Sequence, residues 1–207
     1  MAAWHFRKPR SFSFEDLKLT ILPTVFHPGI YLSTGILVEF LSTIDLKGKT
    51  FLELGAGNGL TSFVAAKKGA IVTATDINTK AIEGIQENAK KNKLSVKSIA
   101  SDLFEKVHPD DFDIIIINPP YYPKNPSSTT EMAFYCGEDF SYFNRLFKQV
   151  NEQLSNSFTE IFMILSEDCE LEKIKEIAKS ENIHLFIVHE EKKMQEQNYI
   201  FKFVRHE

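Results

Sequence analysis

Cysteine is scarce in this chain: Cys136 and Cys169 are the only two in 207 residues, and they sit in no paired motif. Neither a disulfide framework nor a thiolate zinc site is indicated, and a reducing cytoplasm is the expected location. Six histidines (His5, His27, His108, His184, His189, His206) are scattered without ligand spacing, so no metal is expected. Apolar runs approaching the roughly 20 residues of a membrane helix are missing, as is an apolar signal core, which argues against a membrane partner. Excess positive charge is missing too. The net charge is -4, and the two short basic stretches, "HFRKPR" (5–10) and "KKNK" (90–93), read as a frayed terminus and a solvated helix end.

What is present is core material, 43% apolar residues, enough for one domain. The expected layout is an N-terminal extension over 1–27, a strand or hairpin, followed by one domain over 28–207. Segments rich in Val, Ile and Phe alternate with segments of helical periodicity. Seven strands are expected at 50–54, 71–77, 96–100, 113–118, 160–165, 183–189 and 199–204. This pattern predicts an α/β fold with a mostly parallel sheet and helices on both faces. Only nine residues, 190–198, separate the last two strands. A parallel crossover needs more, so the final strand is expected to run antiparallel. Helices are expected after caps at Asn78 and Asp139, and after Ser33 or Thr34 beyond a turn at Pro28 and Gly29.

Four strand ends carry chemistry. "ELGAGNGL" places Gly55, Gly57 and Gly59 between a strand and a helix, where backbone can approach a ligand and free N–H groups face it. A dinucleotide-binding loop has related spacing, but here the third glycine comes one residue early and Glu53 precedes the first. Asp76 ends the next strand, 21 residues after Gly55, where a carboxylate can accept both hydroxyls of a ribose. Asp102 ends the third strand, and "NPPYY" (118–122) ends the fourth. Ligands of open α/β sheets lie at the carboxyl ends of strands, so Gly55, Asp76, Asp102 and Asn118 are expected to share one crevice.

"ELGAGNG", "DIN", "SDLF" and "NPPYY", in this order, resemble the class I S-adenosylmethionine-dependent methyltransferases with an N-P-P-Y motif. Within that branch they are most similar to the glutamine N5-methyltransferases of translation release factors, and "FYCGEDFSYFNRL" is similar to a segment those enzymes carry after the motif. The resemblance covers roughly residues 28 to 165 and implies a seven-stranded Rossmann-like fold with S-adenosyl-L-methionine as cofactor. It implies that Glu53, Gly55, Ala56, Gly57, Asn58 and Gly59 hold the methionine part. Asp76 with Ile77 would take the ribose, Asp102 with Leu103 the adenine, and Thr34 would touch the methionine end.

Methylating a planar nitrogen is difficult because its lone pair is delocalised. Two acceptors, the Asn118 side-chain oxygen and the Pro119 carbonyl, can each take one N–H of an NH2 group and aim the lone pair. Pro119 and Pro120 stiffen the loop and remove competing donors. Tyr121, in preference to Tyr122, can lie against the flat amide or base. A protein glutamine is the favoured acceptor. The alternatives are adenine or guanine in RNA, and a module that binds the cofactor without catalysis. Only 52 residues precede Glu53, too few for the helical recognition domain of the bacterial release-factor enzymes, so a partner subunit is open as a source of recognition.

Overall fold

The computed structural model describes residues 8–28 and 32–205. The turn expected at Pro28 and Gly29 therefore falls partly outside the described residues, as do His5 and His206. A hairpin comes first, β1 (Arg10–Phe14) with β2 (Leu17–Ile21), and then helix α1 (Leu32–Leu41). Strands and helices then alternate: β3 (Thr50–Leu54), α2 (Leu60–Lys67), β4 (Ile71–Asp76), α3 (Thr79–Asn92), β5 (Val96–Ala100) and β6 (Ile114–Ile117). After a long loop come α4 (Ser141–Gln153), β7 (Glu160–Ser166), α5 (Leu171–Ser180), β8 (Ile183–Lys193) and β9 (Glu196–Arg205).

The large sheet has the order β5-β4-β3-β6-β7-β9-β8. Its strands are parallel except β9, which runs antiparallel to both β7 and β8. The expected α/β architecture is thus present, with all seven strands. β6 shows why it folds this way: four consecutive isoleucines are buried. Ile115 and Ile117 pack with Phe143, Phe147 and Ile174 of α4 and α5. Ile114 and Ile116 pack with Ile36, Phe40 and Ala65 of α1 and α2. A strand covered on both faces has no polar side, so its sequence does not alternate.

The hairpin is docked on α3 by two asparagines one helical turn apart. Asn88 Oδ1 accepts the Thr20 N–H at 2.8 Å, and its Nδ2 donates to the Thr20 carbonyl at 3.0 Å. Asn92 does the same with Lys18, at 2.9 and 3.0 Å. The two amides thus stand where a neighbouring strand would and satisfy the open edge of β2.

Three local expectations are corrected. α1 already runs at Leu32, so Ser33 and Thr34 lie in its first turn rather than capping it. The cap position of α4 is Phe140, in the left-handed region at φ 58°. Asp139, one residue earlier, still accepts the Ser141 N–H at 3.1 Å. The nine residues between the last strands are mostly strand themselves. Only Met194 and Gln195 connect β8 to β9, at φ 49° and 73°, a two-residue turn whose twist matches the hairpin.

Candidate active site

The loop after β3 is tied to the neighbouring strand end: Gly55 and Ala56 donate their N–H groups to the Thr75 carbonyl at 2.9 and 2.7 Å. Gly55 sits at φ 76°, and a Cβ there would meet nothing within 4 Å, so its backbone faces an open cleft. Gly59 differs: at φ 77°, a Cβ would lie 2.8 Å from Ile85 Cγ1. It is required by packing at the start of α2 and does not line the cleft. Asn58 helps to start the helix, accepting the Leu60 N–H at 2.9 Å.

Glu53 is buried at the end of β3, and its Oε2 accepts from both the N–H and the hydroxyl of Ser62, at 2.8 and 2.5 Å. Burial pushes its carboxyl up to about 7, against the pull of the Ser62 bonds. Asp76 ties the loop to β4: Oδ2 accepts the Gly57 N–H and Oδ1 the Asn78 N–H, both at 2.7 Å. Burial raises its pKa, and the two backbone bonds oppose that rise. Each carboxylate oxygen has a second lone pair, so two acceptors remain for a ligand diol. Asn78 caps α3 as expected, accepting from Lys80 N at 3.0 Å.

Farther along the same cleft, Ile77 is 48% exposed, a large apolar surface at its rim. Asp102 carries a partner that was not anticipated, Arg145 of α4, whose Nη2 lies 2.5 Å from Oδ2. Leu103 is buried with a positive φ of 46°, a strained conformation for a branched side chain, next to a Ser101 hydroxyl that donates to its carbonyl.

Asn118, Pro119, Pro120 and Tyr121 follow β6 into this cleft. Asn118 Nδ2 donates to Ser33 Oγ at 3.1 Å. Among the described residues the Pro119 carbonyl accepts no backbone N–H. Tyr121 and Tyr122 line the cleft on a loop closed against Phe134: their N–H groups both donate to the Phe134 carbonyl, at 3.2 and 3.0 Å. The two tyrosine rings contact each other at 4.7 Å. Tyr121 packs against the α4–α5 core, and burial raises its phenol pKa, while Tyr122 is 40% exposed.

The methyltransferase small domain model matches residues 16–136, more than half of the chain. The chain belongs to this family. Among relatives of this methyltransferase small-domain chain is a Methanocaldococcus jannaschii protein provisionally named a protein N5-glutamine methyltransferase. It is 39% identical over 130 residues, covering 60% of this chain and 64% of the relative. The release factor glutamine methyltransferase of Fusobacterium nucleatum is 34% identical over 170 residues, covering 73% of this chain and 48% of the relative. The chain thus spans less than two thirds of the length of either. A structure of the E. cuniculi Mtq2–Trm112 complex, described as responsible for methylating the eRF1 termination factor, superposes with a TM-score of 0.64. At 19% identity, it covers 88% of this chain and 99% of that one, a shared fold.

The cleft of this methyltransferase small-domain chain gathers every expected residue except Gly59: Thr34, Glu53, Gly55 to Asn58, Asp76, Ile77, Asp102, Leu103 and Asn118 to Tyr121 all line it. Sequence reasoning missed others. Tyr142 and Arg145 lie three apart at the start of α4 and face the cleft, while Phe143, Leu146 and Phe147 face the core. The polar positions outside that apolar stripe were the available signal. The segment Thr24–Phe26 forms a roof. The Phe26 carbonyl accepts from Asn58 Nδ2 and the Thr24 carbonyl from Asn78 Nδ2, both at 3.3 Å, and the Phe26 ring meets that of Phe134 at 5.9 Å. No short-range pattern links residues 32 and 54 positions apart.

Proposed function

We propose that this protein is an S-adenosylmethionine-dependent N-methyltransferase acting on a planar NH2 group, the side chain of a protein glutamine. The observation that carries this reading is the placement of Asn118 and the Pro119 carbonyl in one cleft with the open Gly55 backbone and Asp76. The cleft fits the cofactor. Backbone at Gly55 leaves room for the methionine part, Asp76 retains acceptors for the ribose, and the exposed Ile77 offers an apolar surface to the adenine, near Asp102. When bound, S-adenosylmethionine supplies a methyl group on a positively charged sulfur.

The chain's part is orientation. Asn118 Oδ1 and the Pro119 carbonyl take the two N–H groups of the acceptor amide, holding its plane so that the nitrogen lone pair points at the methyl group. The nitrogen gains a carbon and loses one proton to solvent. Tyr121 or Tyr122 covers the face of the amide. The glutamine acceptor is supported by the names of the two curated relatives. The Mtq2–Trm112 likeness makes a partner subunit the natural source of further recognition. We also take residues 1–27 as an extension to the catalytic domain, its Thr24–Phe26 stretch roofing the cofactor, and the cytoplasm as the protein's location. No helix among the described residues is long and apolar enough to cross a membrane.

The test is transfer of radiolabelled methyl from S-adenosylmethionine into a lysate, digested separately with protease and ribonuclease, using the wild type and Asn118→Ala. Label lost to protease and retained after ribonuclease is expected, with hydrolysed product containing N5-methylglutamine. Asn118→Ala should lower single-turnover transfer by roughly 10² to 10³, the usual cost of one preorganised catalytic hydrogen bond, about 2.7 to 4 kcal/mol. Label lost to ribonuclease instead would move the acceptor to an RNA base. Near-normal transfer by Asn118→Ala would reduce the motif to a strand-ending turn.

A further inference from the structure

We infer that Ser33 is a positioning residue for the transfer reaction: its hydroxyl anchors the Nδ2 end of the Asn118 side-chain amide and so holds the amide plane, with Oδ1 left for the acceptor. This rests on the reading of Asn118 given above and extends it to a residue 85 positions away. A primary amide has two ends of nearly equal size and opposite hydrogen-bonding character. An Asn118 rotated by 180° about its last torsion would present N–H groups to the N–H groups of the acceptor, a repulsive arrangement that cannot hold the substrate plane.

In the structure Nδ2 points at the Ser33 hydroxyl, 3.1 Å away, and among the described residues Oδ1 accepts no hydrogen bond. The free end is thus the acceptor end, and it is the end the reaction needs. The hydroxyl itself is rigidly placed. Ser33 lies in the first turn of α1, where Ile36, Leu37, Phe40 and Leu41 are buried against Phe51, Phe162 and Ile164, so the helix cannot slide without opening the core. The next residue, Thr34, is also buried and lines the cleft. Ser33 need not touch the cofactor or the reacting atoms to do this. It acts on the substrate only through Asn118.

Removing Ser33 Oγ takes away this anchor and leaves the amide free to turn about its last torsion, out of the plane the acceptor needs. The expected result for Ser33→Ala is a fall of about 5- to 30-fold in kcat, with S-adenosylmethionine affinity changed by less than about threefold, because the cofactor contacts of Gly55 and Asp76 are intact. Ser33→Thr, which keeps the hydroxyl, should restore most of the rate.

The decisive measurement is a double-mutant cycle with Asn118→Ala, since a residue that works through another has nothing left to act on once that partner is gone. Labelled methyl transfer is measured into whichever lysate fraction accepts it, protein or RNA, so the identity of the acceptor does not affect the outcome. Ser33→Ala in the Asn118→Ala background should cause less than about a twofold further loss. Losses that multiply in full would overturn the proposal. A second readout needs no transfer at all. The side-chain amide signal of Asn118 in ¹H–¹⁵N NMR, assigned by its loss in Asn118→Ala, should move toward the position of a freely hydrated amide in Ser33→Ala and return in Ser33→Thr. An Asn118 signal indifferent to Ser33→Ala would show that the hydroxyl does not hold the amide and would overturn it independently of any acceptor.

Discussion

At the scale of single residues, Glu53 is the group whose environment opposes its charge most plainly. Burial holds its carboxyl at about 7, against an ordinary 4.5, so the folded protein keeps a proton there that the unfolded chain has released. The sign follows from linkage: a folded pKa above the unfolded one contributes stability that is complete below pH 4.5 and lost as pH rises through about 7. The full span is worth at most about 3 kcal/mol. Glu53→Gln carries no such proton. Its ligand-free stability relative to wild type is expected to rise between pH 5 and pH 8 by about 1 to 3 kcal/mol, read from urea denaturation. A difference that is flat across those pH values would show that Glu53 stays ionised when folded. Asp76 and Asn118 were legible as site residues because a carboxylate or amide at the end of a buried strand is hard to explain otherwise. Ser33 and Arg145 were not, since their roles lie in partners 85 and 43 positions away.

Elements were legible where burial is two-sided. β6 and β7 announce themselves as unbroken apolar runs, and α3 as an amphipathic stretch with its Asn78 cap. The ends of β8 and β9 were not, because "EEKK" is polar and reads as a loop. Lys193 is held there by ion pairs to Glu39 and Glu191, contacts that sequence spacing does not reveal. The asparagine pair on α3 was also hidden: in a helix interior Asn reads as a weak helix former, and its purpose appears only when β2 lies alongside. That pair gives an asymmetric expectation. Asn88 is buried and Asn92 half-buried, although both make the same two backbone bonds. Asn88→Ala strands a desolvated N–H and carbonyl and is expected to cost about 2 to 4 kcal/mol, while Asn92→Ala, whose groups water can reach, should cost about 1 kcal/mol or less. Because β2 leads into the roof at Thr24–Phe26, Asn88→Ala should also weaken cofactor binding. Equal costs in chemical denaturation would mean that water satisfies both sites alike.

For the whole molecule the governing feature is where the chain reverses direction. β3, β4 and β5 are laid down outward to one edge, and the chain then returns to place β6 on the other side of β3. The reversal opens a crevice at the carboxyl ends of these strands. The glycine loop, Asp76 and Asp102 end β3, β4 and β5, and Asn118 ends β6, so cofactor-type and acceptor-type groups are adjacent by topology alone. This much followed from strand order; the roof and the α4 wall did not, because they are tertiary additions. A cleft assembled from so many separate elements couples its occupant to global stability. A ligand that binds only the folded state stabilises it by mass action, about 2.7 kcal/mol at one hundred times its dissociation constant. For a chain of 207 residues that corresponds to a rise of roughly 5 to 10 °C in Tm. S-adenosylmethionine and S-adenosylhomocysteine are each expected to produce such a rise in calorimetry, and NAD none. Asp76→Ala should shrink it: the lost charge-assisted bonds weaken affinity by about 10- to 100-fold. At the same ligand concentration the stabilisation then falls to about 1.4 kcal/mol for a tenfold loss and below 0.5 kcal/mol for a hundredfold one. The comparison must be made against ligand-free Asp76→Ala, because the Gly57 and Asn78 bonds are lost too and lower the baseline Tm on their own. A rise with NAD equal to that with S-adenosylmethionine would remove the cofactor assignment, since the early third glycine would then not discriminate between the two.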